Sequence, residues 1–368
     1  MKVSILGGGS AACITALKFN YLSSLSNVDL DIEIIHDPTV PAEEVGQGTS
    51  LQFGSTIWNS LSSNDYFKDF SYTLKRGILY KNWGNKENEF FHDFPTDSCA
   101  IHFRTKDFQS YVLSSNLFKV TEDNITDPTE IESNLVIDCR GNKDKDENYR
   151  LLLNPLNCAL IGHSESNTLG INWTTAETHP NGWCFKIPNE DDTFSHGYLY
   201  NSSITSTEDA TSDCQNHFDF NITKRIDFSN YISTQPINKN IALNGNRLFF
   251  CEPLEATSLG VYDYWASLLF NVFIDETLDP NTATSYLNTY CTHIEEFILW
   301  HYETKSPFKS AFWDFASSNT FSARSQKFNQ FINAAKNSTL VECKNSFLPN
   351  YSQWTVYSFK NWINGTSN

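Results

Sequence analysis

The sequence predicts an α/β fold that combines a parallel sheet, an interwoven antiparallel sheet and a helical C-terminal part. Three observations indicate this fold. An apolar segment at residues 3–6 runs directly into a glycine-rich turn and then into an apolar helical pattern, which is typical of the first strand and helix of a parallel sheet. Short alternating strands separated by turn residues occupy residues 159–228. From about residue 282 onward the apolar spacing is mostly helical.

The glycine turn has the residue spacing of a dinucleotide-binding site. Gly7, Gly9 and Ala12 form a GxGxxA pattern, with Ser10 and Ala11 at the start of the following helix. In such a pattern the first glycine permits a tight turn, the second lets the backbone approach a pyrophosphate, and the small third residue allows close helix packing. Unpaired N–H groups at the helix start bind the phosphates. Glycine triplets also serve as plain turns, so the flanking strands and helix are what favour a bound dinucleotide.

A second predicted strand, residues 30–35, follows that helix and ends at His36 and Asp37. An acidic residue about 20 residues beyond the glycine turn commonly binds the ribose of a dinucleotide. Asp37 is the better candidate for this contact, because a carboxylate accepts hydrogen bonds from both ribose hydroxyls. His36 is expected to be structural.

Three later segments complete the predicted scaffold. Residues 135–141 indicate a buried strand stopped by a glycine turn, residues 241–250 indicate another core strand, and residues 259–274 have the apolar density of a buried helix. The apolar N-terminal stretch is too short for a signal peptide and no later run approaches a membrane span. We therefore expect a cytoplasmic protein.

The charge balance and the cysteines exclude other classes. The 368 residues include 43 acidic and 26 basic side chains, a formal net charge of -17, which repels nucleic acid and anionic membranes. The nine cysteines form no CxxC pair and no Cys/His cluster with metal-ligand spacing. The sequence therefore predicts reduced core cysteines, with neither a disulfide framework nor a metal site.

Several separated segments resemble, in one order, the flavin-dependent halogenases of the tryptophan halogenase type. Besides the glycine turn, four segments match patterns of the family, which are given in parentheses: VGQGT at residues 45–49 (V-G-E-A-T), LKRGILYKNW at residues 74–83 (F-K-x-G-I-x-F-x-x-W), WCFKIP at residues 183–188 (W-x-W-x-I-P) and EPLEATS at residues 252–258 (E-P-L-E-S-T). The segment IDCRG at residues 137–141, and His301-Tyr302 followed by Phe312-Trp313, also resemble elements of the family. The match spans most of the chain.

The resemblance implies a p-hydroxybenzoate-hydroxylase-like fold and an FAD-dependent halogenase. Reduced FAD reacts with dioxygen, a halide ion is oxidised to hypohalous acid, and a lysine beside the substrate receives the oxidant. A separate flavin reductase is implied, because the sequence has no second dinucleotide motif for NAD(P)H. The implied division is an FAD-binding module of residues 1–158 and 235–280, a sheet module of residues 159–234 facing the substrate, and a helical substrate-covering part of residues 281–368.

The resemblance also assigns roles to individual residues. Lys75 is the catalytic lysine and Glu255 its carboxylate partner, which takes up the proton lost by the aromatic ring. The remaining roles are flavin contacts beside the glycine turn at Gly46, Gln47 and Thr49, halide binding by the backbone N–H groups of Thr257 and Ser258, a wall between flavin and substrate at Trp183 and Phe185, and substrate contacts at His92 and Phe94.

Composition alone favours plainer interpretations of the two catalytic candidates. Most lysines lie at the surface, so Lys75 could be an exposed strand-end lysine. Glu255 could be a carboxylate that stabilises a helix N-terminus through the helix dipole. Two other functions also stay open: a flavin monooxygenase that hydroxylates its substrate, and a non-catalytic flavin-binding protein.

Several residues depart from the family's pattern, and three of these departures bear on the implied site. Gln47 replaces a glutamate, Phe185 replaces the second tryptophan, and Ala256 stands where a serine is usual. The chain is also shorter than the usual tryptophan halogenases in its C-terminal, substrate-covering part. We therefore expect an electron-rich aromatic substrate and do not assign free tryptophan.

Overall fold

The computed structural model describes residues 1–42, 45–49, 56, 59–60, 71–94, 100–141, 148–322, 324–344 and 354–366. The chain forms two compact units. The first unit comprises Met1–Tyr72, Phe103–Leu151 and Tyr231–Thr289, and the second comprises Thr73–His102, Leu152–Asn230 and Tyr290–Asn368. The predicted functional division into three modules stays a prediction, because compactness does not show which part holds the cofactor.

The strands of the described chain, in order, are β1 Lys2–Leu6, β2 Asp31–His36, β3 Gly46–Gly48, β4 Tyr72–Lys75, β5 Gly77–Lys81, β6 Glu89–Asp93, β7 Ala100–Arg104, β8 Lys119–Glu122, β9 Leu135–Asp138, β10 Tyr149–Leu151, β11 Cys158–Glu165, β12 Thr174–His179, β13 Gly182–Pro188, β14 Thr193–Tyr200, β15 Asn221–Asp227, β16 Tyr231–Ser233, β17 Ile237–Asn238, β18 Ile241–Leu243 and β19 Phe249–Phe250. The α-helices are α1 Ser10–Ser26, α2 Thr105–Leu113, α3 Thr207–Phe218, α4 Thr257–Phe273, α5 Pro280–Glu303, α6 Ala311–Ala316, α7 Gln326–Asn337, α8 Leu340–Lys344 and α9 Val356–Thr366. The mixed α/β fold class predicted from the sequence is confirmed.

The first unit is built on a six-stranded sheet with the order β17-β18-β9-β1-β2-β8. Strand β1 lies at its centre and pairs in parallel with β2 and β9, and Ile5 lies opposite Ile34 on one side and Ile137 on the other. These three side chains are fully buried, as expected for a parallel sheet covered on both faces. The carboxyl ends of β1, β2 and β9 meet at one edge, where the glycine turn begins.

Helix α1 packs against α4 within the first unit. The rings of Phe19 and Phe270 meet edge to face with centroids 5.5 Å apart. The Lys18 ammonium lies 3.0 Å from Oδ1 of Asp263. Burial raises the pKa of the Asp263 carboxyl, although the Lys18 charge opposes that shift. The predicted buried helix at residues 259–274 is confirmed.

The single strand predicted over residues 241–250 is wrong. Strand β18 ends at Leu243, and Gly245 adopts a φ of 64°, in the left-handed region that favours glycine. The Asn244 side chain accepts a hydrogen bond from the Gly245 N–H over 2.8 Å, so the pair forms a turn. Beyond the turn, β19 pairs antiparallel with β16 in a separate three-stranded sheet, β10-β16-β19.

The second unit contains a seven-stranded sheet with the order β15-β11-β14-β13-β12-β5-β6. All neighbours in it are antiparallel except β12 and β5, which pair in parallel. Aromatic contacts join the helices of this unit, for example the stacked rings of Phe297 and Trp354, whose centroids are 4.2 Å apart. Among the described helices, none is long and apolar enough to cross a bilayer.

Candidate functional site

The glycine turn of the first unit matches the requirements of a dinucleotide site. Gly7 has a φ of 109°, and a Cβ there would lie 3.2 Å from the Cys139 carbonyl oxygen, so only glycine fits without strain. A Cβ on Gly9 would meet no described atom within 4 Å, which leaves open space in front of the turn. In the described part of the chain, no side chain caps α1 and no acidic residue lies in its first turn. These N-terminal N–H groups therefore suit a phosphate.

A side-chain hydrogen bond connects the glycine turn with β3. The Ser10 hydroxyl donates to Oε1 of Gln47 over 3.0 Å. The residue before β3, Val45, accepts hydrogen bonds from the N–H and hydroxyl of Thr105 at 3.2 and 3.0 Å, and Thr49 beyond β3 is fully buried. Two of the predicted flavin-contact segments are thus joined.

Asp37 lies at the predicted ribose position, just beyond the end of β2. Its Oδ1 accepts hydrogen bonds from the Thr39 N–H over 2.8 Å and from the Thr39 hydroxyl over 2.6 Å. These two bonds lower the pKa of the Asp37 carboxyl, so the group is ionised at neutral pH. Its neighbour His36 packs against the turn, because a Cβ on Gly8 would lie 3.2 Å from the His36 Cβ.

Two arginines at the same sheet edge were missed by sequence reasoning. Asp138 ends β9 and is almost fully buried, and it receives hydrogen bonds from Arg140 over 2.9 and 2.8 Å and from Arg247 over 3.3 Å. Burial acts to raise the pKa of the Asp138 carboxyl, but the Arg140 bonds and charge outweigh it and the pKa is lowered. The signal in the sequence was Arg140, two residues after the end of a buried strand, at the edge where dinucleotides bind.

The segment that leads into α4 has an unusual backbone. Glu255 (φ 68°, ψ 0°) and Ala256 (φ 55°, ψ 45°) both adopt left-handed conformations, and the Ala256 N–H donates to the Pro253 carbonyl over 2.9 Å. Each such conformation costs about 1–2 kcal/mol for a residue other than glycine. Strain of this kind is concentrated at functional sites. Thr257 and Ser258 follow as the first residues of α4, whose N-terminus carries no side-chain cap from the described residues.

Lys75 is buried in the second unit. It ends β4 with 2% of its surface exposed, and its ammonium lies 5.6 Å from the centre of the Phe94 ring. The interpretation of Lys75 as an exposed strand-end lysine is therefore wrong. An ammonium facing an aromatic ring is stabilised by the negative potential of the ring face.

His102 is a neighbour of Lys75 that the sequence did not indicate. Its Nδ1 lies 3.2 Å from the Thr73 hydroxyl and its Nε2 lies 2.8 Å from the Thr174 hydroxyl. Burial, and then the Lys75 charge, lower the pKa of His102 well below its ordinary value. The imidazole is therefore neutral at pH 7, and it adds no second positive charge beside the lysine.

His92 and Phe94 lie together at the end of β6. Their rings meet edge to face with centroids 5.8 Å apart, and the His92 ring also lies 5.9 Å from that of Tyr357 in α9. The Phe94 N–H donates to the Arg76 carbonyl over 2.8 Å, next to Lys75. Lys75 and the pair His92 and Phe94, which were predicted from two separate segments of the sequence, are thus brought together.

Helix α9 fixes this end of β6 from the other side. The Tyr357 hydroxyl donates a hydrogen bond to the Asp93 carboxylate, and the Asn361 amide donates to the Phe91 carbonyl over 3.1 Å. Burial and the Asp93 carboxylate raise the pKa of Tyr357 to about 12. The tyrosine therefore stays protonated and able to donate throughout the physiological pH range.

Trp183 and Phe185 project on one face of β13. Trp183 is 1% exposed, donates from Nε1 to the Tyr302 hydroxyl over 3.0 Å, and lies 6.3 Å from the Phe185 ring. The Phe185 ring covers Gly197 of β14, where a Cβ would lie 2.3 Å from its Cε1 atom. The pair forms a packed aromatic surface, and its role as a wall beside flavin stays a prediction.

The structure does not bring all the predicted site residues into one unit. Glu255, Thr257 and Ser258 belong to the first unit together with the glycine turn, whereas Lys75 belongs to the second. The pairing of Glu255 with Lys75 therefore stays a prediction.

A parallel sheet with a glycine turn of dinucleotide type, in a chain that also carries a large antiparallel sheet, is the arrangement expected of a flavoprotein that binds FAD. A family model described as tryptophan halogenase matches residues 2–125 and 118–364. The chain belongs to the tryptophan halogenase family, whose members are flavin-dependent halogenases that use reduced FAD and a halide.

Individual relatives agree with this assignment. The chain is similar to the tryptophan 7-halogenase KtzQ of a Kutzneria species, with 27% identity over 203 residues, which cover 50% of this chain and 38% of that protein. The curated relatives are thus matched over well under half of their length.

Two solved structures share the fold over nearly the whole chain. One is Xcc4156, a flavin-dependent halogenase from Xanthomonas campestris, with a TM-score of 0.82, 17% identity, and coverage of 100% of this chain and 88% of that one. The other is the tryptophan 6-halogenase SttH from Streptomyces toxytricini, with a TM-score of 0.80, 19% identity, and coverage of 99% and 90%.

Proposed function

We propose that this protein halogenates an electron-rich aromatic compound, and that the oxidised halogen reaches the substrate through Lys75. The observation that carries the proposal is the environment of Lys75, which is 2% exposed and faces the Phe94 ring at 5.6 Å. Lysine side chains are rarely buried this completely, so Lys75 is a candidate for a functional lysine. Halogenases of this family act through a lysine, and Lys75 lies in a segment that resembles theirs.

In this proposal the bound, reduced flavin supplies the chemistry that converts dioxygen and halide into hypohalous acid. Lys75 donates a hydrogen bond to the hypohalous oxygen and holds the electrophilic halogen toward the aromatic ring. The imidazole of His102 is neutral, so it adds no positive charge beside Lys75. The Lys75 ammonium is therefore the cationic donor to the hypohalous oxygen. His92 and Phe94 hold the flat face of the substrate by aromatic contact.

The first unit contributes the cofactor and halide contacts. The glycine turn with Ser10, and Gln47 with Thr49, bind the flavin, and the N–H groups of Thr257 and Ser258 at the start of α4 bind the halide. Glu255 accepts the proton that the aromatic ring loses, a role suited to a carboxylate. The open space before Gly9 and the left-handed backbone at Glu255 support these assignments.

The proposal includes a separate flavin reductase as partner. Reduced flavin must be supplied continuously, and the described chain presents one glycine turn of dinucleotide type. A reductase that uses NADH would supply it, and we place both proteins in the cytoplasm.

The decisive experiment compares Lys75→Met with Lys81→Met in the full-length protein. Methionine retains the length of the side chain and tolerates burial, so Lys75→Met removes the ammonium without opening a large cavity. Lys81 is a partly exposed lysine of β5, in the same unit, that lies 3.9 Å from Glu89. Each variant is mixed with FAD, a reductase, NADH and chloride, bromide or iodide. Products from a panel of phenols and indoles are measured by mass spectrometry.

Lys75→Met is expected to lose halogenated product by about a hundredfold or more, as when a general acid is removed, while NADH consumption continues. Lys81→Met is expected to retain activity. Halogenated product at the wild-type rate from Lys75→Met would exclude the proposed role of Lys75. Hydroxylated product from the wild-type protein would favour the monooxygenase instead.

A further inference from the structure

A cluster of three ligand-type side chains lies in the second unit, and none of the three is used in the proposed halogenation. His179 ends β12, and Asp213 and His217 lie one turn apart on α3. Their donor atoms all lie within 4.8 Å of one another. Residues four apart on a helix share one face, so α3 presents a carboxylate and an imidazole to the end of β12.

We propose that His179, Asp213 and His217 bind a divalent transition-metal ion, with Zn²⁺ as the best fit. Two imidazoles and one carboxylate form a ligand set that suits first-row ions of the zinc type, and a water molecule would complete four-coordination. The proposal rests on separate evidence from the proposed function. The sequence did not indicate it, because the spacing of His179 from the other two has no metal-motif pattern.

The distances agree with coordination. Oδ1 of Asp213 lies 3.6 Å from Nδ1 of His179 and 3.1 Å from Nδ1 of His217. Ligand atoms of a tetrahedral zinc ion lie about 3.3 Å apart, as follows from bond lengths of about 2.0–2.1 Å. The two distances to Asp213 are thus close to that value, and the donor atoms of the two histidines lie within 4.8 Å of each other.

His179 supplies an independent indication of a ligand. Its side chain is 8% exposed, and its Nδ1 is buried and makes no hydrogen bond to any residue that the structure describes. The other ring nitrogen, Nε2, lies 3.9 Å from Oε1 of Glu177, which is a charge contact and not a hydrogen bond. The ring is further held by stacking on Phe308, with centroids 5.6 Å apart.

The carboxylate of Asp213 is oriented for the same purpose. Its Oδ2 accepts a hydrogen bond from the Tyr198 hydroxyl and lies 3.5 Å from the Asn181 amide nitrogen, whereas its Oδ1 faces the two histidines. Burial and the Asp213 carboxylate raise the pKa of Tyr198, so its hydroxyl remains a donor. Hydrogen bonds of this kind fix the orientation of metal-binding carboxylates.

His217 provides access from solvent, because its side chain is 49% exposed. Its Nδ1 also lies 2.8 Å from the Asp213 carbonyl oxygen, so in the metal-free protein this nitrogen carries a proton that it shares with the carbonyl and the carboxylate. A metal ion would displace that proton or take the opposite nitrogen after rotation of the ring. An ion bound here would link α3 to the end of β12.

The test measures binding of Zn²⁺ and Co²⁺ to chelator-treated, full-length protein by calorimetry and by the visible spectrum of Co²⁺. The variants are His217→Gln and Asp213→Asn. The matched control is Glu208→Gln, which removes an exposed acidic charge from the same helix without touching the cluster. His217 is half exposed, so its replacement is expected to leave the fold intact, and thermal unfolding of each variant checks this.

We expect one equivalent of Zn²⁺ to bind the wild-type and Glu208→Gln proteins equally, and both ligand variants to bind at least tenfold more weakly. The wild-type melting temperature should rise with Zn²⁺, and that rise should be absent in His217→Gln. Three results would overturn the proposal: no binding to the wild type, equal binding to folded His217→Gln, or a Co²⁺ spectrum with thiolate charge-transfer bands, which would place the ion on cysteines instead.

Discussion

Ser10 and Gln47 are joined by a hydrogen bond of 3.0 Å from the serine hydroxyl to the amide oxygen, and this bond ties the start of α1 to β3. Gln47 replaces the family's glutamate, and its neutral amide oxygen still accepts the hydrogen bond from Ser10. Unlike a glutamate, it places no negative charge beside the turn that is proposed to hold the pyrophosphate. The bond therefore restrains two proposed flavin contacts together.

The first prediction follows from that bond. Ser10→Ala is expected to weaken FAD binding by roughly 2- to 10-fold, because one hydrogen bond contributes about 0.5–1.5 kcal/mol. FAD affinity is measured by the quenching of flavin fluorescence. Ser24→Ala, near the other end of α1, removes a hydroxyl that donates to the Asn20 carbonyl over 2.9 Å and should leave FAD affinity unchanged. Equal affinities in the two variants would show that the Ser10–Gln47 bond does not support the cofactor.

The second prediction concerns the left-handed backbone before α4. Ala256→Gly is expected to raise the free energy of unfolding by about 0.5–1 kcal/mol, since glycine adopts the φ of 55° without steric cost. The same substitution at Ala266, in the middle of α4 and fully buried, should lower it by about 1 kcal/mol or more. Urea unfolding measures both changes. A loss of stability in Ala256→Gly would mean that the alanine methyl group has a packing role that exceeds the backbone strain.

The third prediction uses the contact between Gly197 and Phe185. A methyl group at Gly197 would lie 2.3 Å from the Phe185 ring, so Gly197→Ala is expected to lower the free energy of unfolding by about 1–3 kcal/mol. Phe185→Leu leaves room beside Gly197, and the double variant should recover part of the loss. The coupling energy is obtained from a double-mutant cycle by urea unfolding. Strictly additive effects would show that some other atom limits the space.

The fourth prediction is a pH dependence. Glu33 is 4% exposed and lies 2.9 Å from the Lys2 ammonium and 2.7 Å from that of Lys119. Burial acts to raise its pKa, but the bonds from Lys119, Thr121 and Lys2 outweigh it and lower the pKa to about 2. A lowered carboxyl pKa stabilises the fold above the unfolded value near 4.5, and that contribution is lost as the pH falls toward 2.

Glu33→Gln should therefore reduce the free energy of unfolding at pH 6 by on the order of 1 kcal/mol, with a smaller reduction at pH 3.5. The expected change in the free energy of unfolding is small because the Lys2 and Lys119 ammonium groups are exposed, and solvent screens their charges. Glu132→Gln, an exposed carboxylate of the same unit, is the control and should change little at either pH. An effect of Glu33→Gln that is independent of pH would argue against ionic stabilisation.

Local patterns explain why the scaffold of the first unit could be predicted. The strand, glycine turn and helix at residues 2–26 are set by apolar periodicity and by the conformational freedom of Gly7, which are properties of neighbouring residues. The break at Asn244 and Gly245 was also visible as an Asn-Gly turn signal. It was missed because the flanking apolar residues continue on both sides of it.

The environment of the proposed site could not be predicted in the same way. Lys75 is buried because Phe94 and His102, 19 and 27 positions away, fold next to it, and no local pattern encodes such contacts. The resemblance to a family identified the lysine, whereas composition favoured a surface position. The left-handed pair at Glu255 and Ala256 was hidden for a similar reason, because neither residue type prefers that conformation.

The fifth prediction tests whether α9 shapes substrate binding. Tyr357 donates a hydrogen bond to Asp93 and its ring lies 5.9 Å from that of His92, so it restrains the end of β6 that carries the proposed substrate contacts. Tyr357→Phe keeps the ring and removes the restraint.

The KM for the aromatic substrate is expected to rise by roughly 2- to 10-fold in Tyr357→Phe, in proportion to the loss of one hydrogen bond, with kcat nearly unchanged. Flavin oxidation without substrate should also be unchanged, because Tyr357 has no proposed flavin contact. Steady-state product formation separates the two parameters, and Tyr286→Phe, on a half-exposed tyrosine of α5, is the matched control. A fall in kcat at constant KM would place Tyr357 in the chemical step. Identical kinetics in both variants would show that the bond from α9 does not contribute to substrate binding.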